Sequence, residues 1–225
     1  MNTDMKTKKK PVKMRTVLVT GFEPFGGETV NPSQEIARNL HGTVIAGHAV
    51  VGALLPCVFG EAILELRRQL RAAKPVLVIC VGQAGGRAAI TPERVAINVD
   101  DARIADNAGG QPVDRAIVRG GPAAYFSTLP VKAMVAALRA EGVPAEVSQT
   151  AGTFVCNHVF YGLMHALRRK RGVRGGFIHV PFLPEQASVG QASLPLTTMV
   201  AAMARAVRTA LRTKRDLRAN GGATH

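Results

Sequence analysis

Short apolar runs alternate with amphipathic stretches along this chain. Residues 16–20 (TVLVT) and 75–81 (PVLVICV) are continuous β-branched and apolar runs, the pattern of strands buried on both faces. Residues 44–55, 144–149 and 176–180 give three more strand regions, with Gly47 and Gly52 marking a bend or a bulge in the first. Helical spacing of apolar positions recurs over residues 32–40, 61–73, 131–140, 155–171 and 196–213, the first opened by Asn31-Pro32-Ser33 as a cap signal. Strand and helix alternate, which predicts an α/β fold whose mixed, largely parallel sheet is covered on both faces. The segment from 82 to about 124, rich in Gly, Asp, Asn and Pro, is too long for a plain connection. It is expected to be functional or to contain short strands of its own.

At 225 residues the chain fits a single α/β domain with a core of its own, and 47% hydrophobic residues exclude disorder throughout. The formal net charge of +14 changes the picture only once it is located. Residues 1–15, 168–174 and 205–218 each carry +5, leaving −1 for everything else. This distribution argues against one contiguous nucleic-acid face unless folding gathers the segments. The basic start is followed by only five apolar residues, too few for a signal peptide, and no run approaches a membrane span. Cys57, Cys80 and Cys156 are odd in number and lack a CxxC pair, so neither a disulfide framework nor a cysteine-rich zinc site is expected. A reducing cytoplasm is the simplest setting, with no membrane partner and no specific nucleic acid.

In open α/β sheets ligands bind beyond the carboxyl ends of strands, and several such ends carry unusual residues. The loop GFEPFGG (21–27) resembles no phosphate-binding signature and spends a position on Pro24, which has no N–H. Phe22 and Phe25 would suit a neutral, flat ligand, although both could equally be core. Cys156 stands in the first turn of a predicted helix, where the backbone N–H groups and macrodipole favour a thiolate. Cys80 lies inside an apolar strand, and Cys57 has no helix start or histidine nearby. A nucleophilic Cys needs a base. His158 and His165 lie about half a turn round the helix from Cys156 and face away. His179, ending the strand that follows this helix, reaches the same sheet edge through a right-handed crossover and is the best partner. Glu93, Asp100, Asp101 and Asp106 are the candidates to orient the imidazole, and spacing does not choose among them. Arg87, Arg94 and Arg103 are nearby, and one of them could stabilise an oxyanion.

VLVTGFEPFGG near the start, GQAGGRAAITPERVAIN (82–98), TAGTFVCNHVFYGLMH (150–165) and FIHVPFLPEQ (177–186) resemble, in order, the pyroglutamyl-peptidase I (pyrrolidone-carboxylate peptidase) family of cysteine peptidases. The resemblance covers about 15–212, leaving a basic, flexible leader at 1–14 and a basic tail at 213–225. It implies an α/β/α sandwich of the purine-nucleoside-phosphorylase-like kind and removal of N-terminal pyroglutamate from peptides through a thioester. It maps the nucleophile onto Cys156, the base onto His179 and the acidic member onto Glu93. An arginine near the substrate carbonyl maps onto Arg103, the lactam pocket onto Phe22 and Phe25, and a further pocket position onto Gln83. No metal or organic cofactor is implied, the partners are small pyroglutamyl peptides, and a homo-oligomer is expected. Two rivals come from other classes: polyanion binding through the basic segments, and a nucleoside-phosphorylase-like enzyme on fold analogy alone.

Overall fold

The structure, a computed structural model, describes residues 14–221; the predicted leader lies outside these apart from Met14, as does the end of the tail. In chain order the elements are β1 (Thr16–Phe22), α1 (Pro32–Leu40), β2 (Val44–Ile45), β3 (His48–Leu55), α2 (Glu61–Ala73), β4 (Leu77–Gln83), β5 (Thr91–Pro92), β6 (Val95–Ile97), β7 (Ala124–Phe126), α3 (Val131–Arg139), α4 (Val155–Leu167), β8 (Arg174–Val180) and α5 (Leu196–Arg212). Six strands form one sheet in the order β2-β3-β1-β4-β8-β5. The inner four run parallel, while β2 and β5 pair antiparallel at the edges. β6 and β7 make a separate antiparallel ribbon inside the long polar segment.

Because successive strand residues face opposite ways, each inner strand feeds two cores. Val17, Ile79 and Ile178 pack with α1, α3 and α5, whereas Leu18, Cys80 and Phe177 pack with α2 and α4. The result is the α/β/α sandwich that the resemblance implied.

Four details differ from the sequence reading, each for a local reason. Residues 44–55 form a hairpin rather than one bent strand, turning at Ala46 and Gly47, both with positive φ. Gly52 is no bulge; a Cβ there would lie 2.0 Å from the carbonyl oxygen of Ala37, so its role is close approach of α1 to β3. Residues 144–149 do not form a full strand. They meet the β5 segment at two isolated bridges, Ile90 to Ala145 and Glu93 to Ser148. Pro92 stands between these bridges and lacks the N–H that would join them. In addition, α4 ends at Leu167, with Arg168 as its cap and the chain turning before Gly172.

Candidate active site

Three neighbouring pieces of backbone build the site. Alternation along β8 puts His179 on the same face as Phe177, beneath α4, with the two ring centres 4.8 Å apart. On one side β5 runs against β8, so that Thr91 pairs with His179 and the Glu93 N–H donates to Phe177 O at 2.9 Å. This register delivers Glu93 Oε1 to within 2.7 Å of His179 Nδ1. The bond fixes the tautomer: Nδ1 carries the proton, and Nε2 keeps a free lone pair. On the other side of β8 lies β4, where Gly82 pairs with His179. Cys156, the second residue of α4, packs its sulfur onto Gly82. A Cβ at Gly82 would lie 2.8 Å from Cys156 Sγ and 2.8 Å from the Phe177 ring. Only a glycine leaves room there for the Cys156 sulfur and the Phe177 ring.

The corner is dry: Cys156 is 9% exposed, His179 3% and Glu93 0%. Burial pushes the Cys156 thiol up from its ordinary value, with the charges of Cys57 and Glu93 adding and Arg87 opposing. Burial likewise pulls the His179 pKa down, against the hydrogen bond and charge of Glu93 and together with the charge of Arg87. The resting pair is therefore a neutral thiol beside a neutral imidazole. Burial thus opposes the thiolate that the helix start favours.

Spacing left four acids open, and the fold separates them. Asp100 is buried and holds His158 Nδ1 at 2.9 Å, while His158 Nε2 accepts the N–H of Gly60 at 2.9 Å, the start of α2. Asp106 caps a turn, accepting from the N–H groups of Phe59, Ala108 and Gly110. Asp101 is exposed on a loop. Glu93 alone of the four meets His179. Arg87 pairs with that acid: its Nη1 lies 2.7 Å from the same Glu93 oxygen, and its Nη2 lies 2.9 Å from Thr150 O. Arg94 reaches the backbone of Gly221.

Arg103 is exposed on a loop tied to the Cys156 segment through Asp101, whose N–H donates to Thr153 O at 3.0 Å. Phe25 is half-buried and packs against Phe154, the N-cap of α4, at 5.8 Å, whereas Phe22 is 2% exposed and stacks into the core on Phe177. Gln83 accepts from Gln186 Nε2 at 3.0 Å, linking the end of β4 to the FLPEQ segment. Phe154, Gln186 and Gly82 were not singled out by sequence reasoning. Gly82 adjoins Gln83, and Phe154 stands two residues before Cys156. A cleft of about 780 Å³ lined by Phe59, Asp100, Asp106 and His158 lies beside α4, but neither Cys156 nor His179 lines it. Among the described residues, no group of three His, Cys, Asp or Glu side chains is placed to hold a metal ion.

Residues 15–213 match the pyroglutamyl peptidase family. The chain belongs to that family. It is 61% identical over 214 residues to the pyrrolidone-carboxylate peptidase of Klebsiella pneumoniae, spanning 94% of this chain and all of the relative. It is 62% identical over 216 residues to the enzyme of the same name from Cupriavidus necator, with the same coverage. The crystal structure of pyroglutamyl peptidase I from Bacillus amyloliquefaciens superposes with a TM-score of 0.90 at 49% identity, covering 92% of this chain and all of that one. The pyrrolidone carboxyl peptidase of Thermococcus litoralis gives 0.88 at 39% identity. This pyroglutamyl peptidase is thus a cysteine-type hydrolase whose α/β/α body is that of the solved members.

Proposed function

We propose that Cys156, His179 and Glu93 release N-terminal pyroglutamate from small peptides by covalent catalysis. The observation that carries this reading is the Glu93–His179 hydrogen bond at 2.7 Å, made where Gly82 leaves room for the Cys156 sulfur. Sγ attacks the carbonyl carbon of the pyroglutamyl residue while His179 Nε2 takes its proton. The imidazolium that forms is stabilised by Glu93, whose charge contributes little while His179 is neutral. The N–H groups of the first turn of α4 lack intrahelical acceptors and can receive the oxyanion. Arg103, on the loop tied to Thr153, is the side chain assigned to assist there. His179 then gives its proton to the leaving amine, leaving a thioester. A water deprotonated by His179 attacks the thioester, frees pyroglutamate and restores the thiol.

The lactam is neutral and flat, which suits the apolar rim of Phe25 and Phe154 better than a charged pocket. Phe22 backs that wall from the core, and Gln83 offers amide groups at the strand end. Three free thiols, all buried, support a reducing compartment such as the cytoplasm. A homo-oligomer, which the family resemblance implies, is taken as the working form. The test is release of pyroglutamate from a pyroglutamyl amide by the wild type and by Cys156→Ala. The variant is expected to keep its melting transition and lose turnover; full activity in it would sink the assignment.

A further inference from the structure

The fold brings to one end of the sheet the cations of 168–174, Arg15 and the start of the tail, which the sequence keeps far apart. His179 lies near the carboxyl end of β8, whereas Arg174 opens the same strand, seven residues long and hence about 20 Å from end to end. At that opening edge, Thr16 O accepts the Val76 N–H at 2.9 Å, and Val76 O accepts the Arg174 N–H at 3.2 Å. Arg15, just before β1, and Arg174, which opens β8, thus lie on either side of the chain entering β4, with Lys74 capping α2 just ahead of it. The ends of α2 and α4 meet there too: Arg71, Lys74 and Lys170 rim one cleft of about 520 Å³ floored by Leu70 and Leu167. Arg168 to Arg171 are all exposed beside it. The Arg174 guanidinium holds Ala210 O, and Thr213 O at 2.7 Å, bringing in the end of α5 and the start of the tail. The one acid of the tail, Asp216, is spent capping α3 through the N–H groups of Lys132 and Ala133. Burial first, then the charges of Arg168, Arg67 and Arg169, depress the pKa of nearby His165, in keeping with a positive field over this end.

Cations at helix ends complement the macrodipole, but that does not account for four consecutive cations after α4 or for the cations of the tail. We propose that this basic end, opposite the catalytic edge, binds duplex nucleic acid through its phosphates, independently of base sequence. Arginine outnumbers lysine in the described part of this end, and its planar fork matches phosphate oxygens. Residues 67–76, 168–174 and 205–221 contain no aromatic side chain, so no stacking platform for single strands is present in them. Leu70 and Leu167 are only 4% and 6% exposed, so the cleft projects no apolar wedge of the kind that inserts into a bilayer. Binding here leaves the peptidase site facing away from the nucleic acid.

The experiment is fluorescence anisotropy of the full chain with a labelled 25-base-pair duplex of arbitrary sequence, titrated at several salt concentrations. Dissociation constants of about 10⁻⁶ to 10⁻⁴ M are expected at physiological salt, with a fall of about 10³-fold in affinity from 50 to 200 mM salt if about six phosphates are engaged. The triple substitution Lys74→Glu, Lys170→Glu, Arg171→Glu should reduce the magnitude of the log–log salt slope by about three, one unit per lost contact. Peptidase activity and the melting transition should stay at wild-type values. The milder set Lys74→Gln, Lys170→Gln, Arg171→Gln serves should the first set fail to fold. No binding at low salt, an unchanged slope in the variants or tighter binding of a single strand would each overturn the proposal. So would displacement of the duplex by anionic phospholipid vesicles at equal phosphate, which would assign this end to a membrane surface.

Discussion

Arg87→Ala probes the ion pair that underlies the proposed base. Arg87 Nη1 lies 2.7 Å from Glu93 Oε1 and 2.6 Å from Thr91 Oγ1. Glu93 is fully buried and its Oε2 has no hydrogen-bond partner, so the substitution leaves the carboxylate held by His179 alone. Removing one partner of a buried pair costs about 3–5 kcal/mol. The Arg87 side chain keeps 27% exposure, and screening lowers the expectation to about 2–3 kcal/mol. In a chain of this length each kcal/mol shifts Tm by about 2–4 °C, so the transition should fall by about 4–12 °C. The catalytic effect has a definite sign. The positive charge of Arg87 helps hold the His179 pKa down; without it His179 takes a proton at higher pH. The acid limb of kcat/KM should therefore move to higher pH, and Arg87→Lys, which keeps the charge but not the fork, should move it less. Calorimetry and a pH–rate profile measure both effects. An unchanged Tm together with an unmoved acid limb would refute the reasoning.

Gly82→Ala should cost about 1–3 kcal/mol by overpacking and depress kcat, because its Cβ would lie 2.8 Å from Cys156 Sγ. Normal activity in that variant would mean that the sulfur is not held where the structure puts it. His158→Ala should behave differently. It strips the buried Asp100 and the Gly60 N–H of their partners, a loss of about 2–4 kcal/mol read by denaturant titration. The fraction that remains folded should still turn over, whereas loss of turnover at full stability would give His158 a chemical role.

How much of this was legible in the chain depends on how far apart the deciding contacts lie. The runs TVLVT and PVLVICV declared buried strands, and the Asn31 cap is made locally, its Oδ1 accepting the Ser33 N–H at 3.0 Å. The hairpin at Ala46–Gly47 was visible only as a glycine, since a turn and a bend share that sign. The choice among four acids could not be made by spacing, because Glu93 and His179 are 86 positions apart and meet only through the register of β5 on β8. Family resemblance named Glu93; the hydrogen bond supplies the geometry. The thiolate inferred from a helix start shows the opposite limit: a local rule gave the direction of one force, and burial, which is not local, supplied one of the opposite sign.

The sequence by itself determined the layers, the helix and strand order and the nucleophile's place at a helix start, because period and capping act over a few residues. It also fixed how much charge each segment carries. Only the tertiary structure decided that Gly82 makes room for the Cys156 sulfur next to the strand carrying His179, that Arg87 belongs to Glu93, and that the basic segment after α4 and the start of the tail share one end. Those outcomes depend on strand register and on parallel strands starting at a common edge, quantities that no short stretch of chain encodes.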